Sequence, residues 1–182
     1  LTDPAPATAF GHLDAFVGNA GANQLFLNDG EGNMIDSDQA LGSAETKSAS
    51  VGDLNNDRYP DVVVANTGAG AGLQAWLNDG TGQFTAGSGV GTSFSDLALF
   101  DHDDDGDLDA VAASRQDGDQ LWINDGAGIF SAGQNTGAGS NSVEVGDADG
   151  DGDIDILSDT NLIWWNVKQP IAADQNYVVS ED

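Results

Sequence analysis

One acidic loop occurs three times in this chain, and its spacing sets what the chain can fold into. In Asp147-Ala-Asp149-Gly-Asp151-Gly-Asp153-Ile-Asp155, carboxylates stand at positions 1, 3, 5 and 9 of nine. Gly152 holds position 6, where a sharp turn calls for a positive φ. Asp101-His-Asp103-Asp-Asp105-Gly106-Asp107-Leu-Asp109 has the same pattern. Asp53-Leu-Asn55-Asn-Asp57-Arg58-Tyr59-Pro-Asp61 follows it with Asn at position 3 and Arg at position 6. Short apolar runs follow the loops (Asp61-Val-Val-Val-Ala65, Asp109-Ala-Val-Ala-Ala113, Asp155-Ile-Leu157), and Leu13-Asp-Ala-Phe-Val17 reads the same way without a loop. The aligned aspartates Asp14, Asp61, Asp109 and Asp155 are 47, 48 and 46 residues apart, so the chain is four copies of one unit.

Carboxylates packed this closely repel one another unless a cation lies among them. An all-oxygen ligand set selects a hard ion, and a loop of this kind suits Ca²⁺ better than Mg²⁺, which keeps its waters. One such loop is also what an acidic surface turn looks like; three in register argue for a ligand. The sites are not expected to be equal. Loop two carries six carboxylates and loop three five, whereas loop one carries three with Arg58 set against them. Arg58 also takes the position where the other loops have glycine, and a non-glycine residue at positive φ is strained. Loop one is therefore expected to bind most weakly. The EF-hand alternative fails at its twelfth position, where Val64, Ala112 and Ser158 stand in place of Glu.

The rest of each unit reads as short strands. Before the loops come Ala49-Ser-Val51, Leu97-Ala-Leu99-Phe100 and Ser142-Val-Glu-Val145. After the post-loop strand comes another: Gln24-Leu-Phe26-Leu-Asn28, Gln74-Ala-Trp76-Leu-Asn78, Gln120-Leu-Trp122-Ile-Asn124 and Asn161-Leu-Ile-Trp164-Trp-Asn166. Three of these run into hairpin turns, Asn28-Asp-Gly30-Glu-Gly32, Asn78-Asp-Gly80-Thr-Gly82 and Asn124-Asp-Gly126-Ala-Gly128, whose residues accept positive φ. A fourth strand starts near Met34-Ile35, Phe84 and Phe130. No segment has convincing helical periodicity. Four short strands repeated every 40–50 residues or so point to an all-β chain, a β-propeller of about four four-stranded blades. The repeats run approximately 8–45, 46–92, 93–140 and 141–182, within one domain over 1–182.

Composition narrows the partners. The chain of 182 residues has 31 acidic residues against four basic ones, for a net charge of −27, which repels nucleic acid. Three divalent cations would offset only part of it, and a saline setting would screen the remainder. Without cysteine there is no disulfide, thiol chemistry or Cys-zinc site. No apolar run of about 18 residues is present, so no membrane insertion is expected. The chain opens at Leu1 with no signal peptide and is expected to be a processed chain or a fragment. Modest calcium sites fill outside cells, where the ion is abundant, so a secreted or surface location is expected.

These residues resemble the FG-GAP/VCBS repeat family, the propeller units also found in integrin α-chain heads. The resemblance covers roughly residues 8–166 and rests on three features. They are the Gly-Asp-x-[Asn/Asp]-x-Asp loop, the Asp-hydrophobic strand after it, and the Leu-Asn-Asp-Gly-x-Gly hairpin. It implies that the loop joins the innermost strand of a blade to the next and binds about three Ca²⁺ in all. Carried over, site one uses the side chains of Asp53, Asn55, Asp57 and Asp61 and the carbonyl of Tyr59. Site two uses Asp101, Asp103, Asp105 and Asp109 with the carbonyl of Asp107. Site three uses Asp147, Asp149, Asp151 and Asp155 with the carbonyl of Asp153.

Two departures stand out. The first repeat, Gly11-His12-Leu13-Asp14, looks like a loop shortened by six residues, so no ion is expected there. The last has Trp164-Trp165-Asn166-Val-Lys-Gln-Pro170 in place of the glycine hairpin. The family's propellers commonly have seven blades, and four repeats leave three options: a small ring, part of a larger one, or a half that pairs with another chain. An open end would expose apolar blade faces and favour a homodimer.

The recurring Phe26, Trp76, Trp122 and Trp164 read as packing between blades. Trp165 reads as a filled end face, with sugar stacking as the alternative, and His102 as an exposed non-ligand. Tyr177-Val-Val179 reads as a closing strand against the N-terminal residues, or as the start of a further unit. No catalytic set stands out: His12 and His102 are isolated, and the aspartates that could do glycosidase work are better used by calcium. The expectation is a non-enzymatic, calcium-stabilised binding or adhesion module for a protein or carbohydrate ligand. The alternatives are an accessory or catalytic propeller in polysaccharide breakdown, and a structural spacer.

Overall fold

The computed structural model describes residues 14–68, 70–135, 137–160, 162–164 and 177–178. Every regular element among them is a β-strand. Sheet one holds β1 (Ala15–Val17), β2 (Gln24–Asn28) and β3 (Met34–Asp36). Sheet two holds β4 (Glu45–Gly52), β5 (Asp61–Thr67), β6 (Leu73–Asn78) and β7 (Phe84–Val90). Sheet three holds β8 (Asp96–Phe100), β9 (Asp109–Ala113), β10 (Gln120–Asn124) and β11 (Phe130–Asn135). Sheet four holds β12 (Val143–Gly146), β13 (Asp155–Ser158), β14 (Leu162–Trp164) and β15 (Tyr177–Val178). Each sheet is an antiparallel meander in chain order, one sheet per repeat. The residues ahead of Asp14 lie outside the described residues.

The sheets stack face to face, and the second strand of each explains why. β5 and β9 are apolar without alternation because both their faces are buried. Val62 and Val64 face Leu41, Phe16 and Trp76 on the side of sheet one. Val63 and Ala65 face Leu97, Ala110, Ala112 and Trp122 of sheet three, together with Phe94 from the connection ahead of it. Val111 and Ala113 turn the other way, against Val143 and Ile156 of sheet four. Trp76 and Trp122 are buried at these interfaces as the repeat implied. Phe26 is only half-buried, and the Trp164 side chain and all of Trp165 lie outside the described residues. The first strands of successive sheets lie together, β4 beside β8 and β8 beside β12.

The Asn-Asp-Gly turns close the third and fourth strands of the first three units as expected. Asp29, Asp79 and Asp125 donate their N–H to the carbonyls of Asn33, Gln83 and Ile129 at 3.1, 3.1 and 3.2 Å. The turn glycines sit at positive φ, with Gly80 at 81° and Gly126 at 75°. Further along the same strands are features the sequence did not announce. A bulge opens between Gln74 and Trp76 and another between Gln120 and Trp122. The glutamine amide at each fills it, Gln74 Nε2 donating to Ala75 O at 2.8 Å and Gln120 Nε2 to Leu121 O at 2.8 Å.

Two expectations fail. Tyr177 and Val178 pair with Ile163 and Leu162, so β15 is the fourth strand of its own sheet and not the start of a new unit; the N-terminal residues against which a clasp would form lie outside the described residues. His102 is half-buried, with its ring edge-on to Phe100 at 5.6 Å.

Candidate metal centres

Each loop joins the first strand of its sheet to the second: β4 to β5, β8 to β9, β12 to β13. Internal hydrogen bonds then fold the acidic residues back on themselves. The carboxylate at position 1 accepts the N–H of position 6 through Oδ2: Asp53 from Arg58 at 2.8 Å, Asp101 from Gly106 at 3.0 Å, Asp147 from Gly152 at 3.1 Å. The carboxylate at position 5 accepts the N–H of position 7: Asp57 from Tyr59 at 2.8 Å, Asp105 from Asp107 at 2.9 Å, Asp151 from Asp153 at 2.9 Å. Position 6 is left-handed in all three, with φ of 75° at Arg58, 94° at Gly106 and 95° at Gly152. Position 4 is left-handed too, at Asn56 (61°), Asp104 (60°) and Gly150 (81°), which the pattern did not disclose. Asn, Asp and Gly are the residues that tolerate this region best.

The aspartate at position 9 has a second task. Asp61, Asp109 and Asp155 are buried. Each uses Oδ2 to accept the N–H of position 2: Leu54 at 2.9 Å, His102 at 3.0 Å, Ala148 at 2.8 Å. Through Oδ1, Asp61 and Asp109 accept the N–H of Asn78 and Asn124 at 2.7 and 2.8 Å, tying the loop to the end of the third strand. Asp14 makes that bond to Asn28 at 2.8 Å in the repeat that has no loop. The bond thus holds the sheet together with or without a cation site. Burial pushes the Asp61 and Asp109 carboxyls up, against the pull of these N–H donors. The Asp149 carboxyl is also raised, by desolvation first and then by Asp151, Asp155 and Asp147.

In loop two, carboxylate oxygens of Asp101, Asp103 and Asp109 lie within 4.8 Å of one another. In loop three, those of Asp147, Asp149 and Asp151 do so. Oxygens sharing one Ca²⁺ at about 2.3–2.6 Å can be no more than about 5 Å apart, so both groups fit a single ion. Asp105 and Asp155 stand outside these two groups, although they belong to the expected sets. Loop one holds no group of three carboxylates because Asn55 replaces one of them; there Asn55 Nδ2 donates to Asp57 Oδ2 at 3.0 Å. Asp101 Oδ1 is buried without a hydrogen-bond partner. A buried carboxylate oxygen left in that state is costly unless a cation meets it, and so the residues of loop two fit a calcium ion. Asp53, Asn55, Asp57, Tyr59 and Asp61 in loop one, and their counterparts in the other loops, are the residues that would hold such ions.

No helix among the described residues is long and apolar enough to cross a membrane. No curated protein matches the chain at a significant level. The FG-GAP-like repeat matches it three times, over residues 11–64, 53–112 and 101–158. The last two matches begin on the first aspartates of loops one and two. The matches together cover most of the chain, which belongs to the FG-GAP-like repeat family.

Proposed function

We propose that this chain is an extracellular calcium-binding β-propeller module that presents its loops to a protein or glycan ligand and has no catalytic activity of its own. The observation that carries the calcium part is the buried, unpartnered Asp101 Oδ1 beside the oxygens of Asp103 and Asp109. The ions are structural: each closes the junction of a first and a second strand, where carboxylates would otherwise repel. The stack of sheets with β4, β8 and β12 side by side supports a propeller arrangement about an axis on that side. The net charge of −27 disfavours nucleic acid as the ligand.

Melting curves with calcium and with EDTA test the structural role. At ten times its dissociation constant each ion adds about 1.4 kcal/mol, so three add roughly 4. For a domain of this size that corresponds to a fall of about 10 °C in Tm on chelation. An unchanged curve removes the calcium role. Glycan and protein arrays probed with calcium-loaded chain test the binding role; hydrolysis of an arrayed glycan contradicts it.

A further inference from the structure

Loops one and two touch across the interface of their sheets. Asn56, the left-handed residue at position 4 of loop one, donates through Nδ2 to Asp107 Oδ1 at 2.7 Å and to the Gly126 carbonyl at 3.4 Å. Asp107 is position 7 of loop two, the residue whose carbonyl is a candidate ligand there. Its carboxylate is wedged against Gly126, where a Cβ would overlap it. A second bridge runs through Asn124. Its Nδ2 donates to Leu54 O of loop one at 2.9 Å and to Leu108 O of loop two at 3.1 Å. Its N–H donates to Asp109 at 2.8 Å.

We propose that the cation sites of loops one and two are coupled through the Asn56–Asp107 bridge, so that an ion in one loop tightens binding in the other. The proposal rests on the calcium reading of the loops. Asn56 lies between two candidate ligands, Asn55 and Asp57, and Asp57 donates its N–H to both Asp53 and Asn55 at 3.1 Å. An ion that draws these three side chains together fixes residue 56 with them. The Asn56 amide then holds the Asp107 side chain, and with it the carbonyl of the same residue. Linkage makes the effect reciprocal. The corresponding step from loop two to loop three has no amide to offer, since position 4 is Asp104 and position 7 is Asp153.

Calorimetric titration of the whole chain with calcium tests this, with loop three silenced by Asp147→Asn and Asp151→Asn. Silencing loop one as well, by Asp53→Asn and Asp57→Asn, weakens calcium binding at loop two about tenfold. In a chain that also carries Asn56→Ala, the same silencing changes loop two by less than about twofold. The charge removed is equal in both backgrounds, so the difference reports the bridge. Asn56→Asp alone sets carboxylate against carboxylate and abolishes the coupling. The exchange of Asn56→Asp with Asp107→Asn restores it, which damage to the fold would not do. Equal loss of loop-two affinity with and without Asn56, or no loss in either, overturns the proposal. A chain that binds no calcium in any loop overturns the calcium reading as well, and that result is distinct.

Discussion

Arg58 has the least favourable backbone of the three loops. Its φ of 75° costs an L-residue about 1–2 kcal/mol, which glycine at the same position in the other loops avoids. Arg58→Gly is expected to raise stability by about 0.5–1 kcal/mol after the entropy of glycine is subtracted, measured by denaturant unfolding in EDTA. It also removes a positive charge from loop one and should tighten calcium there; no change in either quantity refutes the strain. The strain was legible in the sequence because two loops show glycine where the third does not. Position 4 was not legible, since Asn56, Asp104 and Gly150 look like spare acids or spacers until their shared φ is seen. The buried aspartates make a second claim. Burial raises the Asp61 and Asp109 carboxyls above the ordinary 3.8. Between that value and the raised one, the folded chain holds more protons than the unfolded chain. Metal-free stability therefore falls as pH rises through that window. Calcium needs the carboxylates ionised, so in excess calcium stability rises over the same range. Melting curves taken at rising pH from 3.8 upward in EDTA and in calcium should slope in opposite directions; parallel slopes refute the assignment.

Among the elements, the hairpin after β10 does more than turn the chain. Asn124 is buried, its Oδ1 accepts from Gly128 at 3.1 Å, and its amide reaches both loop one and loop two. Asn78, its counterpart, accepts from Gly80 at 3.1 Å and donates to Pro60 O at 3.2 Å, bonds confined to its own sheet. Asn124→Ala is therefore expected to cost about 2–3 kcal/mol, and Asn78→Ala about 1–2, in urea unfolding. Equal costs would mean that the bridge to loop one contributes nothing. The strands and hairpins themselves were readable from Val62-Val-Val64 and Asn-Asp-Gly, because burial on two faces and left-handed turns restrict residue type strongly. The bulges at Gln74 and Gln120 were not, since a glutamine that plugs a bulge and one that faces water are the same letter. The contact of Asn56 with Asp107 was out of reach for another reason: it joins residues 51 apart through the packing of two sheets.

At the scale of the molecule, the period near 47 residues foretold one sheet per repeat, and each sheet is an antiparallel meander in chain order. What the period could not foretell is which sheet covers which loop. Position 2 shows the gradient: Leu54 is 1% exposed against sheet three, His102 half-buried, Ala148 exposed. Loop one is thus the most enclosed and the poorest in carboxylates, while loop three is open and acidic. On the proposed function, a calcium ion lies in each of these three loops. A crystal grown in excess calcium, with anomalous differences collected at long wavelength, tests it most directly. Three peaks are predicted, beside Asp53, Asp101 and Asp147, the first of them the weakest. A map with no peak in any loop would contradict the claim.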